Sequence, residues 1–118
     1  MYEATVTVES GRQAGLVFRS SADGTSSYAL ILDMTTNEFF LASGSPYQNL
    51  GGVIFHSPLE FGRPYSMKVA VSGGTLEAYL DGSKRVALTD SAYTTGYFGL
   101  MLLNAEATFD DVKAWALP

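Results

Sequence analysis

Tyr2-Glu3-Ala4-Thr5-Val6-Thr7-Val8-Glu9 alternates without a break: Ala4, Val6 and Val8 point one way, and Glu3, Thr5, Thr7 and Glu9 the other. Side chains on a strand alternate with period two, so this stretch is a strand with one buried and one solvated face. Ser10-Gly11-Arg12-Gln13 reads as a turn, and Ala14-Gly15-Leu16-Val17-Phe18-Arg19-Ser20 as a second strand. Leu16 and Phe18 share one of its faces, and Gly15, Val17 and Arg19 share the other.

The same pattern continues outward from this pair. Residues 21–27 (SADGTSS) form a polar loop on Asp23-Gly24, a pair suited to hairpin connections, with Asp23 as turn former. Residues 28–34 (YALILDM) are nearly continuously apolar, as in a central strand. Thr35-Thr36-Asn37 turns the chain into residues 38–42 (EFFLA). Residues 43–52 read as irregular, with Val53-Ile54-Phe55 as one short strand and residues 57–64 as a loop carrying two prolines. YSMKVAV (65–71) and TLEAYL (75–80) flank Ser72-Gly73-Gly74, and Asp81-Gly82 turns the chain before Arg85–Leu88. After a loop at 89–95 come YFGLMLL (97–103) and ATFDDVKAW (107–115). No window keeps a helical apolar spacing for three turns. About nine short strands with turn signals about every 8–12 residues predict one antiparallel β domain over residues 1–118, a sandwich or barrel.

Composition narrows the function classes. Of 118 residues 47% are hydrophobic and 16% charged, too apolar for a disordered chain and too short for a second core of useful size. Seven basic against 12 acidic residues give a net charge of −5, which makes nucleic acid a poor expectation. The apolar runs fall well short of the ~20 residues a helical membrane span needs. The absence of cysteine excludes disulfides, thiolate metal sites and a thiol nucleophile. Met1 runs straight into strand sequence, as in a domain cut from a longer polypeptide.

Several strings, taken in order, carry a resemblance. They are AGLVFRS (14–20), the Asp23-Gly24 loop, Tyr28 opening an apolar strand that ends in Asp33, Tyr65-x-Met67-Lys68-Val69, and Leu76-x-Ala78-Tyr79-Leu80-Asp81-Gly82. They continue with Thr89-Asp90-Ser91, Gly96-Tyr97-Phe98-Gly99-Leu100 and Ala107-Thr108-Phe109-Asp110-Asp111-Val112. Together they resemble carbohydrate-binding module family 66, the fructan-binding modules attached to levanases, within the concanavalin-like jelly-roll class. The resemblance spans essentially the whole chain and implies an antiparallel β-sandwich of jelly-roll type. It departs at Leu103, where family members often place a Trp, and at Thr89, where the family can show a His. It also sets Met1 at an early strand of the family domain, leaving an unpaired edge.

Sugars are recognised by fixed polar side chains on a rigid surface beside an apolar wall. A carboxylate accepts from two adjacent hydroxyls and a guanidinium donates in a fork, which together read a diol. The resemblance places an acid and a base of the binding surface at Glu3 and Arg19, expected side by side and open to water. The alternative is an exposed ion pair or two solvated side chains. Tyr28 is either a sugar wall with a hydroxyl to offer or a core-edge tyrosine. Asp90 is either a ligand carboxylate or an Asx-type turn, and Tyr93 can line a site beside it.

Other candidates are weaker. His56, the one histidine, stands in Phe55-His56-Ser57-Pro58 with no nucleophile-elbow serine. Glu38 and Glu77 lie on separate hairpins, with no spacing that brings them together across a cleft as a glycosidase requires. Asp110 and Asp111 point to opposite faces of a strand, and one of them can join loop carbonyls around calcium. Trp115 reads as packing. The expectation is therefore a non-catalytic module without cofactor that binds a polysaccharide, fructan first, through Glu3, Arg19, Tyr28 and Asp90. It would sit beside an attached glycoside hydrolase in a secreted or extracellular protein. A sugar-processing jelly-roll enzyme and a structural or adhesive surface domain are the alternatives.

Overall fold

The computed structural model describes residues 1–44 and 46–115, and among them only strands and turns form. The strands are β1 (Tyr2–Ser20), β2 (Tyr28–Asp33), β3 (Glu38–Gly44), β4 (Tyr47–Ile54), β5 (Pro64–Ser72), β6 (Thr75–Leu80), β7 (Ser83–Thr89) and β8 (Tyr97–Ala114). Every pairing is antiparallel.

Strand β1 belongs to both layers of the molecule. Its first part, Tyr2–Thr7, pairs with β5, and its second, Gln13–Phe18, pairs with β2. Strand β8 lies along its other side for the whole length, from Tyr2↔Ala114 to Ser20↔Tyr97. One layer is therefore β4-β3-β2-β1-β8 and the other β7-β6-β5-β1-β8, with β1 and β8 bending from one into the other. The bend falls at Gly11, whose φ is +97°, and at Asn104, whose φ is +47°. An added Cβ on Gly11 would lie 2.0 Å from the Asn104 carbonyl oxygen, so the two strands can cross here only because Gly11 has no side chain.

This differs from the sequence reading, in which Ser10–Gln13 separates two strands and β8 is likewise two. The glycine bends the strand without ending its ladder, because β8 bends alongside and keeps pairing. Residues 47–52, read as irregular, are the first part of β4. Gly52 makes that possible, since a Cβ there would meet the Phe39 carbonyl oxygen at 2.3 Å and Phe40 Cβ at 2.5 Å.

The alternation seen in the sequence builds the core. Ala4, Val6, Val8, Leu16 and Phe18 of β1 meet Leu30 and Leu32 of β2, Met67 and Val69 of β5, and Leu76 and Ala78 of β6 between the layers, all nearly inaccessible. The wholly buried β2 has a second apolar face. Ala29 and Ile31 pack with Phe40, Ala42, Val17 and Met101 on the outside of the first layer. The β1–β2, β3–β4, β5–β6 and β7–β8 connections all gather at one end, and the candidate site lies there.

Candidate functional site

Arg19 is set at that end by a bulge. The β1–β8 register shifts between Val17 and Ser20, and Arg19 takes a φ of +49°. An extra residue re-aims the side chain at the bulge. Arg19 therefore leaves the outer face that strict alternation assigns to it and reaches across to the opposite layer. Its Nη1 donates to the Gly73 carbonyl at 2.7 Å, in the β5–β6 turn, and to the Tyr93 carbonyl at 3.2 Å, in the β7–β8 loop.

Asp90 stands in the same loop. Its Oδ1 accepts from the Tyr28 hydroxyl and, at 3.0 Å, from the Ala92 amide, while its own amide donates to Gly74 O at 2.8 Å. The Tyr28 and Ala92 hydrogen bonds hold its carboxyl below the ordinary carboxylate range. The Tyr28 oxygen also accepts from the Tyr93 amide at 3.3 Å, and the two rings meet edge to face at 5.0 Å. Burial raises the Tyr28 phenol pKa, and the bond to Asp90 adds to this.

Arg19, Tyr93, Tyr28 and Asp90 thus form one connected network, although Tyr28 and Asp90 are 62 residues apart in sequence. Arg19, Tyr93 and Asp90 are half-buried at the rim, whereas Tyr28 is fully buried, stacked on Phe18 at 5.4 Å. Among the described residues, Nε and Nη2 of Arg19 and Oδ2 of Asp90 have no protein partner. A donor fork and an acceptor thus remain at the rim, flanking an aromatic ring.

Two of the expected placements are corrected. Glu3 is not beside Arg19. It lies opposite Lys68 of β5 and Lys113 of β8, pointing away from the core on the outside of the second layer, and no hydrogen bond or ion pair joins it to Arg19 among the described residues. The reason is the path of β1, which places its two ends in different layers. Tyr28 is no open sugar wall either. Its ring is core, and its hydroxyl positions Asp90. Asp90 is at once an Asx-type turn and a carboxylate with a free oxygen, so the two readings of it coexist. Tyr93 is the residue sequence reasoning valued too little, because only the Tyr28 contact shows that it lies between Arg19 and Asp90.

The remaining candidates scatter. His56 is exposed at the opposite end, in a groove with Arg63, Asp81 and Arg85. Glu38 and Glu77 face outward from different layers, Glu77 paired with Lys84 at 3.0 Å. Asp23 is the turn former expected, with Oδ1 accepting from Ser21 and Thr25, which holds its pKa at about 2. Among the described residues no three His, Asp or Glu side chains group as a metal set.

This architecture is that of the concanavalin-like jelly-roll class. The fold is shared with a carbohydrate-binding module CBM66 from Bacillus subtilis, with a TM-score of 0.87 at 24% identity over 94% of this chain and 71% of that one. It is shared more distantly with the alginate lyase AlgAT5 of polysaccharide lyase family 7, with a TM-score of 0.55 at 15% identity over 92% of this chain and 58% of that one. In sequence the chain is 28% identical over 117 residues to a levanase of Bacillus subtilis strain 168, covering 94% of this chain. It is 29% identical over 106 residues to a levanase of Bacillus sp. strain L7, covering 84%. The chain spans only 17% and 11% of the length of those two levanases. No protein-family model matches it. The resemblance drawn from the motifs is borne out: the fold is shared with a carbohydrate-binding module CBM66, and the sequence is similar to two levanases.

Proposed function

We propose that the chain is a non-catalytic carbohydrate-binding module that holds an attached glycoside hydrolase on a fructan such as levan, in a secreted or extracellular protein. The observation that carries this reading is the Arg19–Tyr93–Tyr28–Asp90 network on a scaffold shared with CBM66. It leaves a guanidinium fork and a carboxylate oxygen beside an aromatic ring, the groups that read neighbouring hydroxyls of a neutral sugar. Similarity to two levanases supports fructan as the ligand class. Glu38 and Glu77 diverge, which weighs against a glycosidase cleft, and the reading requires neither a cofactor nor calcium. Tethering turns a weak single site into a high effective concentration, so modest affinity suffices.

Affinity electrophoresis through gels containing levan, inulin, xylan or β-glucan tests this. Levan should retard the wild-type chain, Arg19→Ala and Asp90→Ala should abolish retardation with an unchanged circular dichroism spectrum, and Glu3→Ala should migrate like wild type. Equal retardation of Arg19→Ala and wild type would overturn the site. Free migration of wild type in every gel would overturn the function.

A further inference from the structure

The end of the sandwich opposite the Arg19 rim carries a groove of about 640 Å³, inside the usual range of about 300–1,000 Å³ for small-ligand clefts. The β4–β5 loop, the start of β5 and the β6–β7 turn with β7 build it, and neither β1 nor β8 lines it. Met1 and Trp115 lie at the other end, beside Arg19. The loop is pinned to the body of the fold. The Phe55 and Leu59 amides donate to Asn37 O and Oδ1 at 2.8 and 3.0 Å. Those of Glu60 and Gly62 donate to the Tyr65 hydroxyl at 2.8 Å and the Val8 carbonyl at 2.9 Å.

Two guanidinium groups are set in this groove, each over an aromatic ring. Arg63 lies 4.3 Å from the centre of Tyr65, and Arg85 5.3 Å from that of Phe55. Stacking fixes the plane of a guanidinium and leaves its N–H edge to donate outward. Arg63 Nη2 donates to Asp81 Oδ2 at 3.0 Å, and the Ser66 amide holds Asp81 Oδ1 at 2.9 Å. An acid and a guanidinium thus stand side by side and open to water here, the arrangement expected of Glu3 and Arg19. Arg85 is placed by a bulge. Tyr79 pairs with Lys84 and Ala78 with Val86, so Arg85 is the extra residue of β7. Arg19 reaches its rim by the same device. Arg85 has no ion pair among the described residues. Glu60 and Asp81 balance Arg63 and Arg85, so the groove offers donors and acceptors without net charge in a chain carrying −5. A neutral polyhydroxyl ligand matches that set, whereas an anion meets two carboxylates.

We propose, resting on the carbohydrate-binding reading above, that this groove is a second sugar site, which engages a further stretch of the same neutral glycan. Its charged groups are exposed and solvated, so its own affinity lies below that of the rim. The nine residues of β5 separate the two ends by roughly 25 Å, at about 3.3 Å per residue, which a short oligosaccharide does not span. A polymer does. Once the rim holds it, another segment meets the groove at high effective concentration, and a weak contact then adds to retention.

Amide NMR spectra of the chain, titrated with a short levan oligosaccharide, test this. Two groups of resonances should shift. One, at Arg19 and Tyr93, saturates first, and the other, within residues 55–63 and 81–85, saturates at higher concentration. Arg85→Ala should remove the second group only. Its affinity for the short oligosaccharide should stay within about twofold of wild type, while that for levan polymer falls at least about tenfold. Lys84→Ala removes the same charge one residue away and should leave both groups and the polymer affinity intact. Arg19→Ala should keep the second group. Shifts confined to the rim, or an unchanged polymer affinity of Arg85→Ala, overturn the groove and spare the rim. Silence at both ends overturns the carbohydrate-binding reading and the groove with it. Groove shifts produced by sulfate but not by the oligosaccharide also overturn the proposal.

Discussion

The Tyr28 hydroxyl makes two bonds that shape the rim, donating to Asp90 and accepting from the Tyr93 amide. Tyr28→Phe keeps the ring stack and removes both, leaving a partly buried amide unpaired. The expected loss is about 1–2 kcal/mol in chemical denaturation. Since the Tyr28 bond is the first cause of Asp90's lowered pKa, a carboxyl titration by NMR should find Asp90 moved up toward its ordinary value. Levan retention should weaken, but less than in Asp90→Ala. Asp33 offers a second residue-scale test. Burial pushes its carboxyl up, but hydrogen bonds from Gln13, Thr35 and Thr36 outweigh that and hold it at about 2. A carboxylate with a lowered folded pKa stabilises fully above its unfolded value of about 3.9, and that stability is lost as pH falls toward 2. Its share is about 2 kcal/mol. Gln13→Ala should flatten this acid limb in denaturation curves recorded from pH 5 to pH 2, readings bracketing about two units of titration.

At the scale of elements, the bent pair β1–β8 decides the architecture. Gly11 sits at its crossing, in a left-handed conformation, against the backbone of Asn104. Gly11→Ala combines an unfavourable φ with a backbone clash and should cost more than about 2 kcal/mol, read as a lowered denaturation midpoint with an unchanged slope. Full stability of the variant would refute the tight crossing of Gly11 against Asn104. The alternation Ala4-Val6-Val8 was legible because each inward residue meets the opposite layer directly. The continuity of β1 was not, because Ser-Gly-Arg-Gln has turn chemistry, and only the parallel bend of β8 keeps its ladder paired.

For the whole molecule, a ligand that binds only the folded state adds stability in proportion to the logarithm of its concentration over Kd. Oligofructan at about a hundred times its Kd should add about 2.7 kcal/mol, seen as a raised Tm that Arg19→Ala removes. Because the proposed ligand is neutral, that shift should change little between low and high NaCl despite the net charge of −5. A shift that salt abolishes would point to an ionic ligand instead.

Period-two alternation, Asp-Gly turns and the absence of helical spacing determined an antiparallel β protein and named most of its inward residues. Those signals are local, arising from neighbours two residues apart. The same local rule placed Arg19 on the wrong face, since a bulge adds a residue that no pattern of side chains records. Only the tertiary structure decided which polar groups meet. It brought Arg19, Tyr93 and Asp90 to one rim through a buried Tyr28, and it carried Glu3 to the outside of the other layer. Juxtaposition across layers depends on where long strands bend and which loops share an end, and those are properties of the packed chain as a whole.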